Sequence, residues 1–495
     1  MISCILKSSE IKDNIFIPKY YDPELHREIQ MLSKSHDLLC LGQLIDTQQV
    51  SVQTGHELGK MAYGTGNIPF VRTSDISNWE IKTIPKQGIS QEIYQQYADK
   101  QDVQPGDILL VKDGTYLIGT NCMITEMDTP MAFQSHILKF RVLNADVLNP
   151  YLFFLSLNSS LVQRQIRNMQ FTADIIDTLG NRYRELILPI PKSSRIRQNL
   201  INAMSSAIDT RVRYKAAIKQ MPLLIEQVLV ANSAQPLDTF FAMPLEQIFS
   251  KLIQDTITLE FGNFSAFMIK SSNIIGDIFL PKYYDPKIIT ALKKLEANCY
   301  LKSIQELISD GFLELSTGDE IGKMAYGTGT IPFVRTSDFS NWEIKADAKQ
   351  GISEEIYSQY SESEDVLPGD ILIVRDGTYL VGNSCIITEQ DKKMLYCGGL
   401  IKIRVNRSET LNEYLLLGLL NSYIVKRQIR TKQFTRDVID TLGQRFKEII
   451  IPIPKNGEVR QQITKHISAI VHSRINARKL ILQLSSQIID RNLTV

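Results

Sequence analysis

The sequence has few of the residues on which catalytic and metal sites depend. Its 495 residues include six histidines and six cysteines, and no CxxC or Cys/His cluster has the spacing of zinc ligands. No GxGxxG follows a predicted strand, no P-loop lysine is present, and neither HExxH nor GxSxG occurs. These absences argue against a zinc protein, a dinucleotide-binding or P-loop enzyme, a zinc protease and a hydrolase with a nucleophile elbow.

Long apolar runs and an excess of charge are also missing. No segment is long enough to cross a membrane, and the N-terminal MISCILKSSEIKDN lacks the basic start and apolar run of a secretory signal, so we expect a cytoplasmic protein with no membrane partner. The 55 Lys and Arg nearly balance the 54 Asp and Glu, which gives a net charge of +1. A protein that binds DNA by itself usually has a basic excess. If DNA is the ligand, partner subunits are therefore expected to supply much of the phosphate contact.

The sequence contains an internal duplication, two copies of one domain. Residues 1–232 align with residues 264–495 at a constant displacement of 263 and without a gap. MAYGTGNIPFVRTSDISNWEIK from Met61 returns as MAYGTGTIPFVRTSDFSNWEIK from Met324. The period is far longer than that of a solenoid, so each copy is a whole domain. A duplicated domain suits a target with two similar halves, such as duplex DNA with two half-sites.

Each copy divides at a PIPK motif into a globular part and a helical part. In the globular part, IPFVRTSD predicts a buried strand and a polar turn, and GDILLVKDGTYLIG from Gly106 predicts strand, turn, strand, as does GDILIVRDGTYLVG from Gly369. Helices are predicted in YYDPELHREIQML and over 149–168, so the fold class is α+β or mixed α/β. The predicted segments are a first globular domain (1–192), a first long helix (193–232), a linker (233–263), a second globular domain (264–455) and a second long helix (456–495).

The helical parts have the four-three apolar spacing that is typical of a coiled coil. The seam positions are Leu200, Met204, Ala207, Arg211, Tyr214, Ile218, Met221 and Ile225, and then Ile463, Ile467, Ile470, Arg474, Ala477, Ile481, Leu484 and Ile488. We therefore predict that the two long helices pair as an antiparallel coiled coil. The alternative is an amphipathic helix packed on its own globular domain. Arg211 and Arg474 hold matching seam positions, where a polar residue can fix register, and Pro222 is predicted to kink the first helix.

Polar residues that suit base edges and phosphates cluster at two predicted turns of each copy. The first cluster, after the IPFV strand, is Arg72, Thr73 and Ser74 with Asp75, repeated as Arg335, Thr336 and Ser337 with Asp338. The second, on the predicted hairpin, is Lys112, Asp113, Thr115 and Tyr116, repeated as Arg375, Asp376, Thr378 and Tyr379. The alternative for each residue is a solvated turn whose side chains cap backbone amides.

A third polar cluster lies in VQRQIRNMQFT and its repeat VKRQIRTKQFT. Its residues are Arg164, Arg167, Gln170, Arg427, Arg430 and Gln433, together with Lys426 and Lys432. This segment is either a helix end that faces phosphates or a solvated helix face.

The only trace of a catalytic set is Asp107, Lys112 and Asp113, which loosely resemble the carboxylates and lysine of a nuclease. Their spacing is wrong for a metal-dependent nuclease, and the second copy has Arg375 in place of the lysine. Arginine cannot shed its proton and so cannot replace a catalytic amine. No histidine is shared between the copies. We therefore expect no catalytic residue, no metal and no cofactor in this chain.

With IPFVRTSDI, GDILLVKDGT, the PIPK exit and the order of globular domains and long helices, the chain resembles the specificity subunit of Type I restriction-modification enzymes over nearly its whole length. The resemblance implies two target-recognition domains that each read one half of a bipartite site in double-stranded DNA. It also implies that the long helices act as a ruler and as docking surface for two methyltransferase subunits, which carry AdoMet and modify adenine, with a restriction-translocase subunit joining them. Such a subunit is not itself catalytic.

The two copies are unusually alike for that family, so we expect related half-sites. The copies differ most at 46–58 against 309–321 and at 132–136 against 395–399, and we expect these segments to read any difference between the half-sites. Two other functions stay open from the sequence alone. One is the recognition subunit of a related methyltransferase-nuclease or phage-defence system, and the other is a duplicated protein scaffold that does not bind DNA.

Overall fold

The structure, a computed structural model, describes residues 11–12, 15–114, 116–173, 176–249, 269, 274–275, 278–346, 350–377, 379–436 and 439–491. Two predicted site residues, Thr115 and Thr378, lie outside this range, as does the linker segment 250–263. The chain forms two compact units. Unit 1 comprises Met1–Val212 and Arg474–Val495, and unit 2 comprises Arg213–Ser473. Each unit thus contains one globular domain and one half of each long helix, so both unit boundaries fall within helices.

The globular domain of unit 1 combines short helices with short strands. Its helices are α1 (Pro23–Leu32), α2 (Leu41–Asp46), α3 (Gln91–Gln101), α4 (Pro150–Asn158) and α5 (Ser160–Met169). Its strands are β1 (His36–Cys40), β2 (Val50–Thr54), β3 (Ile68–Val71), β4 (Ile76–Ser77), β5 (Glu80–Ile81), β6 (Gln87–Ile89), β7 (Ile108–Val111), β8 (Asn121–Met123), β9 (Ala132–Phe133), β10 (Ile137–Val142), β11 (Phe171–Ala173), β12 (Ile176–Thr178) and β13 (Ile187–Pro191). The α+β prediction is confirmed.

Two sheets form the core of this domain. One is antiparallel with the order β2-β10-β7-β8, and the other has the order β6-β3-β9 with β3 and β9 parallel. All four residues of β7 are buried, because this apolar strand is covered on both faces. Val71 of β3 and Phe133 of β9 join Leu109 and Val111 of β7 in one apolar cluster, so the two sheets share a core. The ribbons β1-β13, β4-β5 and β11-β12 complete the domain.

The globular domain of unit 2 repeats this arrangement. Its helices are α8 (Pro286–Leu295), α9 (Ile304–Ser309), α10 (Glu354–Glu364), α11 (Glu413–Leu420) and α12 (Tyr423–Lys432), and in the chain they follow the long helix α6 (Ser194–Ala231) and the short linker helix α7 (Gln235–Ala242). Its strands are β14 (Cys299–Ser303), β15 (Leu313–Thr317), β16 (Ile331–Val334), β17 (Phe339–Ser340), β18 (Glu343–Ile344), β19 (Gln350–Ile352), β20 (Ile371–Val374), β21 (Ser384–Ile386), β22 (Leu395–Tyr396), β23 (Leu400–Val405), β24 (Phe434–Arg436), β25 (Ile439–Thr441) and β26 (Ile450–Pro454). The sheets are β15-β23-β20-β21 and β19-β16-β22, with the ribbons β14-β26, β17-β18 and β24-β25.

Two predictions are wrong in their boundaries. The second strand predicted in GDILLVKDGTYLIG begins only at Asn121, because Gly114 (φ 122°) and Gly119 (φ 90°) hold the intervening backbone in a broad loop. The single helix predicted over 149–168 is two helices, α4 and α5. Ser159 lies between them in an extended conformation, and its Oγ accepts a hydrogen bond from the N–H of Val162 at 3.3 Å.

The long helices are α6 and α13 (Gly457–Gln487), and α6 continues past Pro222 to Ala231. Every predicted seam residue except Tyr214 is buried. Further residues next to the seam are buried as well, which widens the buried stripe beyond that of an isolated two-stranded coiled coil. In the described part of the chain, no helix has the length and apolarity needed to cross a membrane.

In unit 1 the two helix segments run antiparallel. Just before α6 begins, the N–H of Lys192 donates to the carbonyl of Ser35. The neighbouring His36 donates from Nε2 to the carbonyl of Ile488, just past the end of α13, at 2.9 Å. In unit 2, Asn298 is the equivalent of Ser35, and its carbonyl accepts from the N–H of Lys455. Its Nδ2 donates to the carbonyl of Val230, near the end of α6, at 3.0 Å. In both units the start of one long helix therefore lies beside the end of the other.

A buried carboxylate joins the helices to the globular domain of unit 1. Glu80 follows a tight turn in which Asn78 (φ 49°) and Trp79 (φ 64°) are left-handed. Its Oε1 accepts from Nη2 of Arg474 at 2.5 Å and lies 3.2 Å from Nη2 of Arg211. All three side chains are buried. The two seam arginines are thus bound to one acidic residue of the domain that precedes α6.

A second buried carboxylate belongs to unit 2. The side chain of Glu364, at the end of α10, accepts from the N–H of Asp319 at 3.1 Å and from the N–H of Tyr396 at 2.8 Å. Burial raises the pKa of this carboxyl to about 7, in spite of the two amide donors. The equivalent residue of unit 1 is Gln101, which bonds both the N–H and the carbonyl of Phe133 without a charge.

We expect Glu80→Ala to lower the free energy of unfolding of unit 1 by about 3–5 kcal/mol, because it removes a buried carboxylate that both buried arginines contact. The chain has two tryptophans, one in each unit. Urea unfolding of a Trp342→Phe background, followed by Trp79 fluorescence, reports on unit 1 alone. The exposed Asp99→Ala is the control and should change the free energy by less than about 0.5 kcal/mol. Equal midpoints for the two variants would contradict the prediction.

We expect the effect of Glu364→Gln on the free energy of unfolding of unit 2 to become more favourable between pH 5 and pH 8. Glutamine removes the buried charge, but at every pH it offers one acceptor oxygen where two backbone N–H groups now bind. The pKa of this carboxyl is about 7 in the folded protein, above the ordinary 4.5, so the folded protein holds the proton more tightly than the unfolded chain. The cost of burying the charge is therefore absent below pH 4.5 and complete above pH 7. The change in this effect between the two pH values should be on the order of 3 kcal/mol. Trp342 fluorescence in a Trp79→Phe background measures it. Gln101→Glu should introduce the same pH dependence into unit 1, and an effect of Glu364→Gln that does not vary with pH would refute this account.

Candidate nucleic-acid interface

The first predicted cluster forms a loop in each unit, Arg72–Asp75 and Arg335–Asp338, here called the arginine loop. The aspartates are buried within it. Asp75 accepts from the N–H of Arg72 at 3.0 Å and from the N–H of Lys86 at 3.1 Å, and Asp338 accepts from the N–H of Arg335 at 2.9 Å. Burial raises the pKa of the Asp75 carboxyl. The aspartates therefore cap backbone amides and are not available to a ligand, which corrects their place in the predicted cluster.

The arginine of each loop is supported by two stacked rings. The Arg72 guanidinium lies 5.9 Å from the ring centre of Tyr63, which stacks on the buried Phe70 at 5.8 Å. In unit 2 the corresponding distances are 5.8 Å from Arg335 to Tyr326 and 5.6 Å from Tyr326 to Phe333. Cation–π contact restricts a flexible side chain, so each arginine is held in place before any ligand binds. The polar neighbours Thr73 and Ser74 are partly or fully exposed.

An exposed methionine stands two residues before each of these tyrosines. Met61 is 91% exposed and Met324 is 92% exposed, both in a single turn of 3-10 helix. Sequence reasoning missed these residues because methionine in an apolar pattern ordinarily predicts core. The signal that could have found them was the return of MAYGTG, with its flanking glycines, in both copies.

The second predicted cluster is the loop between β7 and β8 and its equivalent between β20 and β21. We call Lys112–Gly114 and Arg375–Gly377 the hairpin tips. In unit 1, Asp113 accepts from Thr178 Oγ1 at 2.5 Å and lies 2.9 Å from Nδ1 of His136, while Nζ of Lys112 lies 3.7 Å away. In unit 2, Asp376 accepts from Thr441 Oγ1 at 2.5 Å.

The partner of the remaining aspartate oxygen in unit 2 is the adjacent arginine. Arg375 donates to Oδ2 of Asp376 from Nε at 3.0 Å and from Nη2 at 2.7 Å. The position of His136 is Gly399 there, and its carbonyl accepts from the N–H of Arg375 at 2.9 Å. Tyr116 and Tyr379, next along each loop, are 58% and 44% exposed.

The two divergent segments meet beside the hairpin tip. In unit 1, Ser135 donates to the carboxylate of Glu57, and Nε2 of His136 lies 3.7 Å from the same carboxylate. In unit 2, a Cβ built on Gly398 would lie 2.9 Å from Oε1 of Glu320. Residues from 46–58 and 132–136 therefore form one surface with the tip, and 309–321 and 395–399 do so in the second unit. The sequence could not show this convergence.

The third predicted cluster is divided by the structure. Arg164 binds Asp22 at 2.6 Å and also reaches Glu24 and Glu28, and Arg427 binds Asp285 at 2.6 Å. These two arginines tie α5 and α12 to the first turns of α1 and α8, so they are not free phosphate-binding cations. The other members have different surroundings. Arg167 and Arg430 are exposed, Lys426 is partly buried, Lys432 pairs with Glu448, and Gln170 and Gln433 donate to Asp177 and Asp440.

A cleft of about 1010 Å³ lies beside the hairpin tip of unit 2. Its lining includes Arg375, Asp376, Phe434, Thr435, Thr441 and Arg445. The Arg445 guanidinium lies over the ring of Phe434 at 3.9 Å, and Arg182 lies over Phe171 at 4.4 Å in unit 1. The cleft thus presents planar cations, hydroxyls and an aromatic ring, which are the groups that contact nucleic-acid phosphates and bases.

Metal ligands are not grouped in the part of the chain that the structure describes. No set of three or more His, Cys, Asp or Glu side chains there could hold a metal ion. The described cysteines Cys40, Cys122, Cys299, Cys385 and Cys397 are free thiols.

Comparison with solved structures finds specificity subunits of similar length. The chain is similar to the S subunit of a Type I restriction-modification system from M. genitalium, with 12% identity, 93% of this chain and 97% of that chain covered, and a TM-score of 0.32. It is also similar to the HsdS subunit from Thermoanaerobacter tengcongensis, with 15% identity, 92% and 96% covered, and a TM-score of 0.26. Among curated proteins, none matches the chain.

A family model matches part of the second copy by sequence. Residues 310–485 match the model of the Type I restriction modification DNA specificity domain. The matched range covers most of the second globular domain and nearly all of α13. The first copy has the same elements at a displacement of 263 residues. Over residues 310–485, the second copy is therefore similar to the family of Type I restriction modification DNA specificity domains.

Proposed function

We propose that this chain is the DNA-recognition subunit of a Type I restriction-modification complex. Each globular domain reads one half of a bipartite site in double-stranded DNA. The observation that carries the proposal is that each unit presents the same surface: an arginine supported on stacked rings, an exposed methionine and a hairpin tip. Two copies of one reading surface fit a target with two short halves.

The chemistry of this surface suits base edges. Arg72 and Arg335 offer bidentate donors of the kind that pair with guanine, and Thr73, Ser74, Thr336 and Ser337 offer hydroxyls that serve bases or phosphates. Met61 and Met324 supply apolar tips of the kind that proteins insert between base steps. Tyr116 and Tyr379 add exposed rings at the hairpin tips. Thr115 and Thr378 stay candidates for DNA contact by their place in the sequence alone.

The long helices set the distance between the halves and dock the catalytic partners. We propose that two methyltransferase subunits bind them, carrying AdoMet and modifying adenine, and that a restriction-translocase subunit joins the complex. The chain itself supplies recognition and has no cofactor or metal of its own. Its net charge of +1 supports this division, because partner subunits can provide phosphate contacts that the chain lacks.

The function is tested by co-expressing the chain with a candidate methyltransferase subunit and mapping methyladenine genome-wide by single-molecule sequencing. We expect a bipartite motif with two short halves and a fixed spacer. A stable complex without methylation, and without salt-dependent binding to DNA, would favour a protein scaffold instead.

We expect Arg72→Ala to relax one base of one half-site only. Loss of a bidentate contact should cost about 1–3 kcal/mol of binding to the correct base and little at other sequences. Arg335→Ala is the matched variant and should act on the other half. The measurement is the methylation motif, together with binding to oligonucleotides that vary at each half-site base. A uniform loss across all sequences would show that Arg72 contacts only phosphate.

A further inference from the structure

The aspartate at the hairpin tip is fixed in the same way in both units. One oxygen of Asp113 accepts from Thr178, and one oxygen of Asp376 accepts from Thr441, both at 2.5 Å. The backbones are joined there as well, since isolated bridges pair the same residues. The carboxylate is therefore a fixed reference point, and only the partner of its second oxygen can vary.

That second oxygen has a different partner in each unit. In unit 1 it lies 2.9 Å from Nδ1 of His136, and the Lys112 amine is 3.7 Å away. In unit 2 the position of the histidine is Gly399, which has no side chain, and Arg375 donates to the oxygen twice. Lysine occurs with histidine in unit 1 and arginine occurs with glycine in unit 2, so the copies differ at both positions that lie beside this oxygen.

The residue at position 136 or 399 lies where the two loops of the surface meet. A Cβ built on Gly399 would lie 3.0 Å from Cγ2 of Thr336 in the arginine loop and 3.9 Å from Cβ of Asp376 in the hairpin tip. The glycine therefore leaves the side of the Asp376 carboxylate open to Arg375.

We infer that residues 112 and 136 in unit 1, and 375 and 399 in unit 2, are a coupled determinant of half-site specificity, with Arg375 selecting a guanine. This rests on the proposed function. The guanidinium of Arg375 has five N–H donors, and two of them bind the Asp376 carboxylate, which fixes the plane of the group. The N–H groups at the far end of the guanidinium form a donor pair that matches O6 and N7 of guanine. The Lys112 amine is a point charge without a preferred plane, so it does not impose this requirement.

The test uses the whole chain in its complex with the methyltransferase and reads the methylation motif. Lys112→Arg with His136→Gly should make the first half-site require guanine at the base where the second half-site already does. The preference should rise about 5- to 150-fold over other bases, the equivalent of 1–3 kcal/mol. Either substitution alone should give less than half of that change, because each leaves the carboxylate with the wrong partner. Lys100→Arg, exposed on α3, is the control and should leave the motif unchanged.

Arg375→Lys keeps the positive charge but removes the planar pair of N–H donors, so it should weaken the requirement for guanine in the second half-site. This conservative surface change keeps the test decisive even where the double variant fails to fold. Retention of that guanine by Arg375→Lys, or an unchanged first half-site in a double variant that still methylates, would overturn the inference. Absence of any bipartite motif for the wild-type chain would instead overturn the proposed function.

Discussion

The contact of Glu80 with Arg211 and Arg474 is the constraint on which the arrangement of unit 1 depends. An arginine in an apolar seam is costly unless a carboxylate meets it. The β4-β5 turn brings that carboxylate to both helices at once, 2.5 Å from one arginine and 3.2 Å from the other. Because the partners belong to one domain and two helix segments, register and orientation are specified together. The second long helix is thus bound to the first globular domain through Arg474.

The surface that we propose to contact DNA is formed by loops that extend from the two core sheets. The hairpin tip extends from β7, a strand buried on both faces, and the arginine loop extends from β3 in the adjoining sheet. Binding residues on short loops of a rigid sheet lose little conformational entropy when a ligand binds. The same logic applies in unit 2, where Glu364 ties both divergent segments to α10. Sequence can therefore change on the surface without disturbing the core beneath it.

Local sequence predicted the repeat, the α+β class, the β3 strand and the heptad seam, because each depends on spacing along the chain. It did not predict contacts between distant residues. Glu80 and Arg474 are 394 positions apart, and His136 and Asp113 lie in different loops, 23 positions apart. Nor could charge alone separate Arg164, which is committed to Asp22, from the exposed Arg167. The burial of Asp75 was ambiguous for the same reason, since an aspartate after a strand serves a cap or a ligand equally well.

The duplication allows such ambiguous residues to be compared between the two copies of one domain. Tyr63 and Tyr326 lie beneath their arginines in the same way in the two copies. A residue and contact kept in both copies serve a property that the two globular domains share. Where a residue changes alone, drift is a sufficient explanation. Positions 112 and 136, like 375 and 399, lie beside one oxygen of a fixed carboxylate, so the two positions are best compared as a pair. Lys112 with His136 and Arg375 with Gly399 each give that oxygen a donor, so the copies differ in which side chains stand beside the carboxylate.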